Sequence, residues 1–342
     1  MNAGTKSKHN KEQSMKPLIT AVITFAMTVC LAALPANADK NILVGISKIV
    51  AHPALDALEQ GVREGIQETF PQARFDLQNA NGELATAASI AQKFKSQNVD
   101  IAVGIATPTA QALVGIIRTK PVIFCAVTDP VSAGLVASTT KGEKNVTGTS
   151  DMTPVREQIA LLNRIKPLKT LGHIYCSSEA NAVALAAIAR QVAADMGIGF
   201  VETTVTNSAE VMQAVQTIAS RVDGIYLSND NTIFSALSAV TRVAMKYKIP
   251  VMSADPSSAE TNDVLAAWGF DYYKMGKVTG RIAARVLKGE DPVTIPTVFM
   301  TDPSDVDLLL NMDVAEKLGL TFPADVVVKA NTIIEHGKII KK

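Results

Sequence analysis

The chain has 342 residues, a length typical of about two domains, and its 33 basic residues nearly balance 32 acidic ones. No basic stripe indicates a nucleic acid partner. The sequence has no P-loop, zinc-protease or serine-hydrolase signature, and its four histidines are scattered without metal-ligand spacing. We therefore predict a protein that is not an enzyme, does not bind nucleic acid, and uses neither a metal nor a cofactor.

The N-terminal residues have the pattern of a secretory signal peptide. Lysines precede an uncharged apolar run over residues 18–34, and Ala36-Asn37-Ala38 resembles a cleavage site. The run is shorter than the roughly 20 residues that a membrane-spanning helix needs. We predict a signal peptide over residues 1–38 and a location in the periplasm. Lipid anchoring at Cys30 is not expected, because Val29 is larger than the residue that such a site requires.

Apolar runs and helical patterns alternate through the first half of the mature chain. Strands are predicted over residues 42–47, 75–77, 100–105 and 122–127, with helices starting at His52-Pro53 and covering 83–96 and 107–118. The run 121–127 is uninterrupted, which is typical of a strand buried on both faces of a parallel sheet. Cys125 lies in this run and Cys176 ends a later one, so both are predicted to be free, buried thiols.

The same plan recurs in the second half. Asp100 and Asp223 begin similar strands 123 residues apart, and the runs starting at 121 and 250 both end in a polar residue and Asp-Pro. A repeat of this length indicates two similar domains and not a solenoid. We predict an α/β protein with two similar lobes, each a parallel sheet flanked by helices, with a cleft between them.

Polar residues follow the predicted strands at six places. These strand tips are residues 47–52, 107–108, 128–129, 177–181, 228–231 and 253–258. Ligands of open α/β sheets bind at the carboxyl ends of strands, where helix N-termini also present free N–H groups. Each tip taken alone fits helix capping or a turn, but six tips on two facing lobes would line one cleft. The candidate ligand-binding residues are Ser47, His52, Thr107, Thr128, Asp129, Ser177, Asn181, Asn229, Asp230 and Asp255.

Several strings resemble those of one transport family. Residues 49–56, 106–108, 121–130, 177–181, 229–231 and 269–273 are similar to the ABC-transporter substrate-binding family that includes tryptophan- and phenylalanine-binding lipoproteins. The resemblance covers about residues 41–296. It implies a type I periplasmic-binding-protein fold with three crossovers between lobes and an ABC permease of the inner membrane as partner. Several relatives carry a lipid-attachment sequence, whereas Ala36-Asn37-Ala38 favours a freely diffusing protein here.

The resemblance also implies the domain boundaries. Lobe 1 is expected over residues 39–150 plus 271–292, and lobe 2 over 151–270 plus 293–342. We expect a monomeric solute receptor of an ABC importer, which closes by a hinge over an amino acid, possibly aromatic. Thr107 and Thr128 would hold its carboxylate, and Asp230 its ammonium group, with Asp129 or Asp255 as alternatives. A secreted sensory module and, less favoured, a secreted α/β enzyme remain open.

Overall fold

The computed structural model of the protein describes residue 1, residues 3–6 and residues 42–342. The predicted cleavage site and Cys30 lie outside the described residues. All described residues from 42 onward belong to one compact unit. Among the residues described, no helix has the length and apolar character that a membrane span requires.

Strands and helices alternate along most of this unit. In chain order the strands are β1 (Leu43–Lys48), β2 (Arg74–Asn79), β3 (Ile101–Ile105), β4 (Val122–Cys125), β5 (Val146–Ser150), β6 (Thr170–Cys176), β7 (Gly199–Val205), β8 (Gly224–Leu227), β9 (Val251–Ser253), β10 (Ala266–Phe270), β11 (Val298–Phe299), β12 (Val306–Asn311), β13 (Thr332–Glu335) and β14 (Lys338–Lys341). The helices are α1 (Pro53–Gln67), α2 (Leu84–Ser96), α3 (Thr107–Ile116), α4 (Val155–Ile165), α5 (Ala180–Asp195), α6 (Val211–Ile218), α7 (Asn231–Ser235), α8 (Leu237–Lys246), α9 (Pro256–Ala259), α10 (Tyr272–Leu287), α11 (Met312–Leu318) and α12 (Ala324–Lys329).

The strands form two sheets, one for each lobe. The first is parallel throughout, in the order β11-β5-β4-β3-β1-β2. The second has the order β14-β13-β12-β10-β9-β8-β6-β7, and its central strands β10, β9, β8 and β6 are parallel. The predicted architecture of two α/β lobes is confirmed, and the central strands of both sheets are buried. Cys125 and Cys176 are the free, buried thiols that the sequence predicts.

The expected boundary between lobe 1 and lobe 2 at residue 293 lies before the last strand of the first sheet. Val298 and Phe299 pair with Thr149 and Ser150 of β5, so the first sheet continues to residue 299. Ile295 is buried in the core of the first lobe, and its carbonyl oxygen accepts a 2.9 Å hydrogen bond from Thr147 Oγ1. The last passage to the second lobe therefore follows residue 299. The sequence predicts a short closing strand at residues 298–300, but no pattern in it shows which of the two sheets this strand joins.

Helix α10 packs lengthwise on α1 of the first lobe, and glycines on both helices allow the close approach. A Cβ atom at Gly276 would lie 2.4 Å from the carbonyl oxygen of Leu58, and one at Gly280 would lie 2.4 Å from that of Val62. Gly61 faces α10 from the other side, where a Cβ would lie 2.3 Å from a backbone oxygen. Small residues spaced by four allow two helix backbones to approach within contact distance.

The Gly276→Ala variant is expected to lower the free energy of unfolding by about 2 kcal/mol or more, because the added methyl group overlaps backbone atoms that cannot rotate away. Gly115→Ala is the matched control. It also lies in a helix, but beyond its chain neighbours and the adjacent helix backbone no described atom comes within 4 Å of its added Cβ, so its effect should be neutral or stabilising. Urea unfolding followed by circular dichroism compares the two. Equal effects of both substitutions would contradict the packing argument.

Candidate functional site

The carboxyl ends of both sheets face one cavity between the lobes. The space between protein atoms there, including the part that is open to solvent, is about 320 Å³. Its lining comprises His52, Ala54, Leu55, Ala106, Thr107, Ala126 and Thr128 from the first lobe, Asn181, Asn229, Asp230, Asn231 and Phe234 from the second, and Asp151 and Tyr272 from the connecting segments. A polar cavity at the carboxyl ends of strands from two lobes is a typical place for a small-molecule site.

Asp151 joins the two lobes at one end of the cavity. It directly follows β5, where the chain first passes to the second lobe. Its Oδ1 accepts a 2.9 Å hydrogen bond from Thr128 Oγ1, and its Oδ2 accepts one of 2.8 Å from Asn229 Nδ2. The Tyr272 hydroxyl donates to the same Oδ2 over 3.5 Å. Burial raises the pKa of Asp151, although the bonds from Thr128 and Asn229 favour the charged form.

Three helices that begin at the cavity have no side-chain cap within residues 42–342: α1, α3 and α5. Ala106, just before α3, has φ 75°, and Ala126, just after β4, has φ 54°, so both backbones turn sharply beside the cavity. Free N–H groups and the helix dipole favour a negative group at such N-termini.

Several buried polar atoms on the lining have no hydrogen-bond partner among the residues that the structure describes. They are both ring nitrogens of His52, Thr107 Oγ1, Asn181 Oδ1 and Asn229 Oδ1. Leaving such an atom unpaired costs about 1–3 kcal/mol. These positions are therefore where polar atoms of a ligand would gain most from binding.

Part of the lining is apolar. Ala54, Leu55 and Phe234 belong to it, and the rings of His52 and Phe234 meet edge to face with centroids 6.0 Å apart. Of the described residues that line the cavity, none is a lysine or an arginine. A negatively charged ligand group would thus depend on helix N-termini, hydroxyls and amides.

Six of the ten candidate residues line this cavity. They are His52, Thr107, Thr128, Asn181, Asn229 and Asp230. The other four lie outside its lining. Asp129 accepts backbone hydrogen bonds from Val131 and Ser132 and so holds a turn, and Ser177 is exposed with its hydroxyl donating to the Val205 carbonyl oxygen.

The remaining two outside the lining are buried. Ser47 lies near the end of β1, and its hydroxyl has no partner within the described part of the chain. Asp255 caps α9 by accepting a 2.9 Å hydrogen bond from the backbone N–H of Ser257. Burial raises the pKa of the Asp255 carboxyl. Neither side chain is therefore part of the site that we propose below.

Asp230 lines the cavity, but both of its carboxylate oxygens are engaged. Oδ1 accepts a 2.9 Å bond from the Ile233 N–H and caps α7, and Oδ2 accepts one of 2.6 Å from the Cys176 N–H. Burial and the nearby Glu179 raise the pKa of Asp230 well above its usual range. Asp230 therefore connects the backbone at the end of β6 to the start of α7.

Sequence reasoning did not select Asp151 or Tyr272 as cavity residues. Asp151 ends the string Gly148-Thr149-Ser150-Asp151, which is itself a polar tip after a strand, so a signal was available. Tyr272 is placed by the return of α10 to the first lobe. It lies in the family-like string 269–273, but it is not in one of the six predicted strand tips. Asn231 also lines the cavity, and its side-chain amide donates to Glu179.

The Asp230→Ala variant is expected to lower the free energy of unfolding of the ligand-free protein by about 2 kcal/mol or more, because two buried N–H groups lose their acceptor. Asp129→Ala is the control, since its turn is near the surface and a smaller loss is expected. Chemical unfolding without ligand measures both. An unchanged midpoint for Asp230→Ala would contradict the capping role.

Comparison with known proteins identifies relatives along most of the chain. The family model "ABC transporter substrate binding protein" matches residues 43–334. A tyrosine-binding protein of Clostridioides difficile (strain R20291) is 34% identical over 289 residues, which cover 83% of each chain. A conserved domain protein from Vibrio cholerae is 40% identical, with a TM-score of 0.83 over 86% of this chain and 100% of that one.

Two further structures differ in their ligand state. An ABC domain from Streptococcus pneumoniae in complex with L-Trp is 31% identical, with a TM-score of 0.82 over 86% of this chain and 100% of that one. A ligand-free, open substrate-binding protein with adhesive properties from Clostridium difficile is 34% identical, with a TM-score of 0.62 over 83% and 97%. The two-lobed fold, the cleft cavity and the match to the family model over residues 43–334 together establish that this chain belongs to the ABC transporter substrate-binding protein family.

Proposed function

We propose that this protein is the periplasmic receptor of an ABC importer and binds an aromatic L-amino acid in the cavity between its lobes. The observation that carries the proposal is the lining itself, in which buried polar atoms without described partners lie next to an apolar wall. Such a lining suits a ligand with a polar head and an apolar side chain. The tyrosine-binding relative and the relative in complex with L-Trp support an aromatic amino acid.

Asp151 is the best acceptor for the ammonium group of this ligand. Both oxygens of Asp230 accept from backbone N–H groups of other residues, whereas Asp151 accepts from side-chain groups of Thr128, Asn229 and Tyr272. A carboxylate has about four lone-pair positions, so Asp151 retains capacity for another donor. Binding of an ammonium group would also favour the charged form of this buried carboxyl.

The carboxylate of the ligand would lie at the start of α3. The Thr107 hydroxyl has no described partner, is 2% exposed and lies in the first turn of this helix, where N–H groups are free. Together these groups can hold an anion without a basic side chain. Asn181 and Asn229, each with an unpaired amide oxygen among the described residues, would contribute from the second lobe.

Closure of the lobes over the ligand would complete the site. The hydrogen bonds between Asn229 and Asp151 link a second-lobe side chain to the end of a first-lobe strand. The fold also matches the relative in complex with L-Trp more closely than the open, ligand-free relative, with TM-scores of 0.82 and 0.62 at similar identity. Hinge motion around a ligand is an established use of two-lobed receptors. The closed form would then be presented to the permease.

Calorimetry against the twenty L-amino acids tests the ligand class, after unfolding and refolding to remove any co-purified molecule. We expect binding of at least one aromatic amino acid, and a loss of about 30-fold to several thousand-fold for Asp151→Asn, the range for removing one partner of a buried charge pair. Asp129→Asn makes the same chemical change outside the cavity and should leave affinity unchanged. Heat from no amino acid would contradict the ligand class. Equal binding by Asp151→Asn would remove Asp151 from the site.

Small-angle scattering tests the hinge. The radius of gyration is expected to fall when the bound amino acid is added to saturation, because the lobes rotate about the three connecting segments. Those segments follow residues 150, 270 and 299. The Asp151→Asn variant at the same ligand concentration is the control for effects of the amino acid on the solvent. An unchanged radius for the saturated wild-type protein would contradict closure.

A further inference from the structure

We propose that His52 makes the cavity selective for an aromatic side chain that carries a hydrogen-bonding group, a phenol hydroxyl or an indole N–H, over an unsubstituted phenyl ring. This inference rests on the proposed function and assigns the far end of the same cavity. His52 is the specificity-determining residue in this proposal, and Asp151 holds the common head of the ligand at the other end.

The order of strands separates the two ends. Asp151 follows β5, His52 lies in the segment after β1, and the sheet order β5-β4-β3-β1 places three strand spacings between them. At about 4.8 Å per spacing, the axes of β5 and β1 lie roughly 14 Å apart. In this proposal the head of the ligand binds at Asp151, and its side chain extends toward the β1 side of the cleft, where His52 lies.

His52 is buried and unpaired in a way that favours a ligand contact. Its side chain is 6% exposed, and neither ring nitrogen has a hydrogen-bond partner in the described portion of the chain. Asn231 lies close enough to the ring to oppose the lowering of the His52 pKa by burial, but its geometry makes no hydrogen bond with either ring nitrogen, and its amide nitrogen donates to Glu179. His173 is also buried, yet its Nδ1 lies 2.8 Å from the Tyr226 carbonyl oxygen and its ring stacks on that tyrosine. His173 therefore fits the core, whereas His52 lines the cavity.

The surroundings of His52 suit an aromatic ring with a polar end. Leu55 and Ala54 provide apolar surface, and Phe234 meets the imidazole edge to face. Burial lowers the pKa of His52, which favours the neutral ring with one donor and one acceptor nitrogen. A phenol hydroxyl can pair with either nitrogen, and an indole N–H with the acceptor. A phenyl ring pairs with neither.

Recognition of this kind is selective because the wrong ligand leaves a buried polar group unpaired. A site built to hydrogen-bond a ligand hydroxyl or N–H can reject the analogue that lacks this group by about 10⁴-fold. One methylene more or less in an apolar pocket changes binding by only about 10–200-fold. We expect the wild-type protein to bind L-tyrosine or L-tryptophan at least about 100-fold more tightly than L-phenylalanine.

The test compares calorimetric Kd values for L-tyrosine, L-tryptophan and L-phenylalanine. His52→Phe keeps an aromatic ring but removes both nitrogens, so the preference should fall to within about threefold while L-phenylalanine still binds. Tyr272→Phe is the matched control at the opposite end, because it removes a hydroxyl near Asp151. It should change all three affinities by a similar factor and keep the preference.

The outcomes separate this inference from the proposed function. A wild-type protein that binds L-phenylalanine as tightly as the other two overturns the role of His52 but leaves an aromatic amino acid receptor. Equal weakening of all three ligands by His52→Phe, with the preference intact, assigns His52 to structure and also overturns the inference. Binding of none of the three contradicts the proposed function itself.

Discussion

The arrangement of the cleft depends on the buried carboxylate of Asp151. It lies where the chain leaves the first sheet, and it accepts hydrogen bonds from a first-lobe hydroxyl, a second-lobe amide and the hydroxyl of the returning helix. A carboxylate that is removed from water needs this number of donors, because burial alone disfavours its charge. The same requirement keeps Thr128, Asn229 and Tyr272 directed at one point.

Much of the fold follows from the sequence because its signals are local and repeated. Uninterrupted apolar runs such as 122–127 predicted buried parallel strands, and the structure ends that strand at Cys125 because Ala126 has φ 54°. The prediction that the helix beginning at Tyr272 returns to the first lobe came from the family resemblance. Long-range contacts hold this helix there, including the hydrogen bond between Thr279 and Thr149, and the spacing of residues in the sequence does not indicate them.

The candidate site was less predictable, because a polar residue after a strand can serve the backbone or the cavity. Asp230 and Asp255 have the same local pattern as Asn229, but each caps a helix that starts just after it. An acidic side chain after a strand caps the backbone when unpaired backbone N–H groups lie near it, and otherwise it can face the cavity. The tertiary fold determines which N–H groups lie nearby. The Cys176 N–H that donates to Asp230, for example, is 54 residues away in the sequence.

The two lobes share a plan but supply different chemistry to the cleft. The first lobe contributes the starts of α1 and α3 with the Thr107 and Thr128 hydroxyls, and the second contributes amides and the Phe234 ring. Hydrogen bonds such as those from Asn229 to Asp151 satisfy part of this polar surface across the cleft. The polar atoms left over, at Thr107, Asn181 and His52, have no described partner. In the closure that we propose, these atoms would be buried unpaired without a ligand, so a ligand that supplies the missing partners would favour the closed form.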